Sequence, residues 1–135
     1  IVGTSPVAGP ASRHITAFRA QIIADPARAE RIADTLADRL HFGLTNDCMW
    51  NPSTSGCGAE RPRLGDHVCI GLDCTNALAT EAHAPVYRDA VARIDAYLDQ
   101  ERGSAALRER MQRDRANTVR ALRDLGHDPS APLEA

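Results

Sequence analysis

Four cysteines, Cys48, Cys57, Cys69 and Cys74, fall within one 27-residue stretch of a 135-residue chain, spaced C-x8-C-x11-C-x4-C. His67 precedes the third and His83 follows the fourth by nine residues. Four thiolates suffice for a tetrahedral zinc site, and backbone beside such an ion must bend sharply. Asn51-Pro52, Gly56, Gly58 and Gly71 supply the bends, and Arg61 and Arg63 are placed to offset the site's net negative charge. His83 is a candidate to replace one thiolate, although with Thr80 three residues earlier it can equally close the N-terminus of a helix. His67 is the weaker ligand candidate.

A catalytic zinc requires an open coordination position and a nearby general base. The neighbouring carboxylates are Asp47, Glu60, Asp66, Asp73 and Glu81, none in an HExxH or HxE context. The expected metal is therefore a structural zinc, and no catalytic residue is assigned. Three other uses of the cysteines remain open. Disulfides suit an even count in a secreted protein, an iron-sulfur cluster also takes four thiolates, and the cysteines can simply be unlinked. Zinc is preferred to disulfides because no export signal is visible and the helices carry enough apolar surface for a core. Trp50, the only Trp, lies inside the first cysteine loop, where packing over the site is expected rather than stacking on a base.

Composition narrows the function classes. All 16 basic residues are Arg, so Schiff-base chemistry and a P-loop lysine are excluded. A net charge of -2 and a pI near 6.2 argue against a surface that coats nucleic acid throughout, while leaving room for a local basic face. No apolar run approaches the roughly 20 residues of a membrane span. The expected location is cytoplasmic.

Positioning the cysteines is a task for helices. Low aromatic content and abundant Ala, Leu, Ile and Arg predict an all-α fold. Residues 1–12 read as a flexible arm or linker, 13–126 as one helical domain with its Cys loop at 44–80, and 127–135 as a flexible tail. Ile15, Phe18, Ile22 and Ile23 mark a first helix ending at Asp25-Pro26. Asp25 then caps a second, with Ile32, Leu36 and Leu40 as its buried stripe and Gly43 closing it. After the loop, Val86, Ala90, Ile94, Tyr97 and Leu98 line a third helix. Ser104 caps a fourth, lined by Leu107, Met111, Thr118, Leu122 and Leu125, completing a helical hairpin around Gly103.

The stretch "HFGLTNDCMWNPSTSGC" followed by "CIGLDCTNALATEAHAPVY" resembles the cysteine-bearing C-terminal region of actinobacterial integrases of the tyrosine-recombinase and transposase type. Cys48, Trp50, Pro52, Thr54, Cys57, Cys69, Cys74, Asn76, His83 and Tyr87 carry the likeness, which covers roughly positions 36 to 100. It implies an accessory module that contacts DNA or the rest of a recombinase. Without Lys the chain lacks the full Arg, Lys, His and Tyr set of such an active site, and Tyr87 and Tyr97 sit at packing positions. Between Glu101 and Leu125, seven arginines stand against four acids. Arg110, Arg113, Arg120 and Arg123 face away from the apolar line, as phosphate contacts or as an ordinary solvated face. The rival classes are a secreted, disulfide-stapled protein that binds or inhibits a partner, and an iron-sulfur redox sensor.

Overall fold

The computed structural model describes residues 5–51, 53, 54, 57 and 70–130. Among them are four α-helices, α1 (Ser12–Ala24), α2 (Ala29–Arg39), α3 (Ala84–Leu98) and α4 (Ala105–Asp124), and a three-stranded antiparallel sheet. Its strands are β1 (Leu40–His41), β2 (Asp47–Met49) and β3 (Ala77–Leu78), with β2 in the middle. The molecule is mostly helical, as composition predicts, but it is not all-α. No helix among the described residues is long and apolar enough to cross a membrane.

The first two helices begin near the predicted places. Asp25 leaves the helical conformation before Pro26 (φ −143°, ψ 80°), which ends α1, and a 3-10 turn over Pro26–Arg28 leads into α2 without a side-chain cap from Asp25. The end of α2 differs from expectation. The amide of Trp50 donates to the carbonyl of Arg39 at 2.8 Å, satisfying one of the acceptors a helix C-terminus leaves open. Leu40 then turns extended and pairs with Met49, so the chain enters the sheet before Gly43 is reached. Pairing with a distant segment, which short-range periodicity does not register, overrides helix propensity at Leu40. The same reason explains β2 and β3 inside the stretch 44–80 that shows no periodicity: strands of two or three residues are too short to display one.

Residues 5–11 are tied to the sheet although their composition reads as an arm. Ala8 and Ala79 exchange backbone hydrogen bonds at 2.9 and 2.8 Å, and the amide of Ala11 donates to Ala77 O at 2.9 Å. Gly9 makes this approach possible: its φ is +89°, and a Cβ there would lie 2.8 Å from Ala77 O.

β3 and the residue after it feed two cores, because successive strand side chains face opposite ways. Leu78 joins Ala11, Ile15, Leu36 and Met49 under α1 and α2, while Ala79 joins Ala84, Tyr87, Val91, Val119, Leu122 and Leu125 between α3 and α4. The buried line of α3 is thus Ala84, Tyr87 and Val91; Val86, Ala90 and Ile94 lie on its flank. α4 buries only its second half, leaving Leu107 46% exposed. Ser104 Oγ accepts the Leu107 amide at 3.1 Å as the predicted cap. Arg108 closes the corner from the other side, donating to the carbonyls of Leu98 and Gln100 at 2.9 and 2.7 Å. At Gly103, φ is +90° and a Cβ would collide with the Tyr97 hydroxyl, which is why Gly joins the two helices.

Gly9→Ala is expected to destabilise the protein by about 2 kcal/mol, through positive-φ strain plus the clash with Ala77 O. Urea unfolding measures this, and an unchanged midpoint would mean that residues 5–11 do not dock as described.

Candidate functional site

Two of the cysteines are positioned by the sheet, one of them in β2. Cys48 is its central residue, paired with His41 of β1 on one side and Ala77 of β3 on the other. In-register neighbours share a face, so His41, Cys48 and Ala77 point the same way, opposite to Asp47, Met49 and Leu78. Cys74 ends the 3-10 turn over Gly71–Asp73, and its carbonyl accepts the Ala77 amide at 3.0 Å, which sets Cys74 at the start of β3. Cys57 follows three residues after Thr54. Cys48, Cys57 and Cys74 are half-buried. Cys69, His67, Arg61 and Arg63 lie outside the described residues.

Asn76 holds these segments together. It is 4% exposed, and its Nδ2 donates to Asn51 O at 3.0 Å while its Oδ1 accepts from Thr54 Oγ1 at 2.7 Å. Its carbonyl accepts the Met49 amide at 2.8 Å, and its own amide donates to Cys74 Sγ at 3.5 Å. One side chain therefore binds the turn after β2 to the turn before β3. Backbone N–H groups directed at Sγ are also common around metal-bound cysteines, so the geometry at Cys74 is compatible with a metal donor. Among the described residues no group of three or more His, Cys, Asp or Glu side chains is placed to hold a metal.

His83 serves elsewhere. It is 3% exposed, and its Nδ1 accepts the Thr80 amide at 3.0 Å as one half of a capping box at the entrance to α3. That assigns the proton to Nε2, which donates to Gly43 O at 2.9 Å and faces Asp47 Oδ1 at 3.4 Å. Asp47 Oδ1 in turn accepts the Gly43 amide at 3.1 Å. Both ring nitrogens are thus engaged in closing the helix and anchoring the β1–β2 loop.

Tyr87 stacks on His83 with ring centroids 6.1 Å apart. Its hydroxyl is buried without a hydrogen-bond partner among the described residues, and burial first, then the charge of Asp47, pushes its pKa well above the ordinary tyrosine value. A phenol so enclosed and so reluctant to ionise is a packing residue and is not placed to attack a phosphodiester. Trp50 is half-buried next to β2.

The four candidate arginines of α4, Arg110, Arg113, Arg120 and Arg123, are all exposed but differ in their partners. Arg110 pairs with Asp114 at 3.7 Å in the i, i+4 arrangement. Arg113 reaches Asp73 at 3.9 Å, and Asn117 Nδ2 donates to the same carboxylate at 2.7 Å, so α4 steadies the turn that carries Cys74. Arg120 and Arg123 have no ion pair among the described residues. Sequence reasoning missed Asn76 as the central tie, His41 as the cross-strand neighbour of Cys48, and Asp47 as the partner of His83. Only a strand pairing of 40–41 with 48–49 would have signalled the second.

Asn76→Ala removes two side-chain hydrogen bonds and is expected to cost about 2 kcal/mol, with faster proteolysis of the 51–57 segment. A variant as protease-resistant as wild type would contradict the tie. For Tyr87→Phe the expected change at neutral pH is neutral to stabilising by about 1 kcal/mol, since an unsatisfied buried hydroxyl disappears. The sign of its pH dependence follows from the raised pKa. Stability from keeping the phenol neutral is present in full below the unfolded value of 10.0 and is lost as pH rises above it. Urea midpoints measured from about pH 8 to 11 should fall less in Tyr87→Phe than in wild type; parallel curves would refute the assignment.

No family model, curated protein or solved structure matches the chain, so its site is interpreted from its own residues.

Proposed function

We propose that this chain is a non-catalytic, zinc-stabilised module that binds DNA or assembles with the rest of a mobile-element integrase. The observation that supports the metal is the Asn76 tie, which joins the turn between Cys48 and Cys57 to the turn before β3 that carries Cys74. Cys69 belongs to the same loop of sequence and completes the proposed ligand set. His83, committed to its cap, is not part of it. When bound, zinc would cross-link a loop poor in large apolar side chains, so that metal affinity becomes folding free energy. The cytoplasm, where thiols stay reduced, is the compartment that suits such a site.

Two features support the nucleic-acid side of the proposal. Arg120 and Arg123 stand exposed on α4 without carboxylate partners among the described residues, and the stretch from Cys48 to Tyr87 resembles the accessory end of tyrosine-recombinase and transposase-type integrases. The buried hydroxyl of Tyr87 agrees with a role that makes no use of it as a nucleophile.

Elemental analysis of protein purified without added metal is expected to find about one zinc per chain with no visible colour. Cys74→Ser should lower zinc content and melting temperature while keeping most of the far-ultraviolet helix signal, because the two cores do not include the cysteines. Full zinc occupancy with unchanged melting in that variant would sink the proposal. Absence of free thiols after denaturation in chelator without reductant would indicate disulfides instead, and brown colour an iron-sulfur cluster.

A further inference from the structure

A pocket of about 280 Å³ opens where α3 and α4 meet the β1–β2 loop and the 3-10 turn over Gly71–Asp73. Ile70, Leu72, Val86 and Ala90 give it an apolar wall. Its charges are matched within the protein: Asp73 is held by Asn117 and Arg113, and Arg110 pairs with Asp114. Three polar side chains of the lining, Tyr87, Asn46 and Asn117, keep unused hydrogen-bonding capacity among the described residues. Tyr87 is 5% exposed, and while its ring packs, its hydroxyl has no partner. Asn46, 3% exposed, gives one amide hydrogen to Asp47 O at 3.0 Å and has a second left. Asn117 turns its amine toward the Asp73 carboxylate, which can only accept, and that leaves its Oδ1 as an acceptor. A buried donor without a partner weakens a fold, so its place in a pocket wall calls for a reason other than stability.

We infer that this pocket binds a small, uncharged amide or cyclic imide: its carbon frame lies on the apolar wall, its carbonyl accepts from Tyr87 and Asn46, and its N–H donates to Asn117 Oδ1. Two donors and one acceptor are the complement of an amide edge. An ion, by contrast, would lose its water without meeting an unmatched charge. The Tyr87 oxygen is itself covered, so the ligand reaches it as neighbouring side chains change rotamer, a common adjustment at binding surfaces. Burial and, less, the charge of Asp47 hold the phenol protonated, so it remains a donor across the neutral range. The inference stands apart from the zinc and DNA readings, because neither the cysteines nor Arg120 and Arg123 line this pocket.

The test is a methyl NMR titration of the intact chain with piperidin-2-one and, separately, with thymine. Both probes should shift the Val86 and Ala90 methyls saturably, with dissociation constants in the millimolar range that ligands of about seven to nine non-hydrogen atoms reach. Tyr87→Phe should weaken binding about fivefold, the weight of one hydrogen bond, while its melting temperature holds or rises, so that the loss cannot come from misfolding. Ala90→Leu, which puts a larger side chain in the wall, should abolish the shifts. Arg31→Gln on α2, whose side chain is not in the lining, should bind as wild type does. Equal affinity in wild type and Tyr87→Phe, shifts that do not saturate with either probe, or shifts centred away from the pocket would each overturn the inference. Tighter binding of benzoate than of piperidin-2-one would overturn the uncharged class of ligand.

Discussion

One imidazole joins the two halves of this molecule. His83 accepts the Thr80 amide on one nitrogen and donates a hydrogen bond to Gly43 O from the other, connecting the entrance of α3 to a loop forty residues earlier. Burial makes the bond consequential, because a polar group at 3% exposure has no water to stand in for a missing partner. Asp47 and the Gly43 amide complete the ring of contacts, so the β1–β2 loop, the sheet and the C-terminal hairpin are positioned by one set of satisfied polar atoms. Such a set specifies a single arrangement more sharply than apolar packing alone, since every partner must be present at once.

Around that junction the chain builds two modest cores instead of one. Small side chains do much of the work: Ala8, Ala77, Ala79 and Ala84 are at most 1% exposed, which lets backbone segments approach closely where larger residues would hold them apart. The helical pairs α1–α2 and α3–α4 each bury one face, and the sheet, though only a few residues wide, sets their relation. The cysteine-bearing turns hang from this frame at the end where Asn76 binds them.

The helices were largely legible because their signals are local. Ser104 as a cap and Asp25-Pro26 as a stop are read from residues within a few positions of each other. The sheet was not, since its strands are shorter than any alternation and Leu40 leaves α2 only because Trp50 and Met49 wait across space. At the site the same division holds. Thr80 and His83 are near neighbours, so their capping role could be foreseen, whereas Gly43 and Asp47 as partners of His83 depend on the folded topology. Asn76 was recognisable as part of a motif, but its work as the tie between two turns is visible only in three dimensions. In α3 the stripe through Val86 misjudged the buried face by one position, because Tyr87 and Val91 meet α4 while the first stripe meets its margin.

The pairing of Ala8 with Ala79 has a consequence for how these molecules behave together. A sheet of three short strands has two open edges, and an unpaired edge is a template for another chain. β1 is only two residues long and offers little to copy. On the β3 side, residues 8–11 occupy the backbone groups of Ala77 and Ala79 themselves. The segment that composition would dismiss as a tether is thus an edge guard, and protein handled without it would present an apolar strand edge beside Leu78, inviting aggregation even while its helices remained intact.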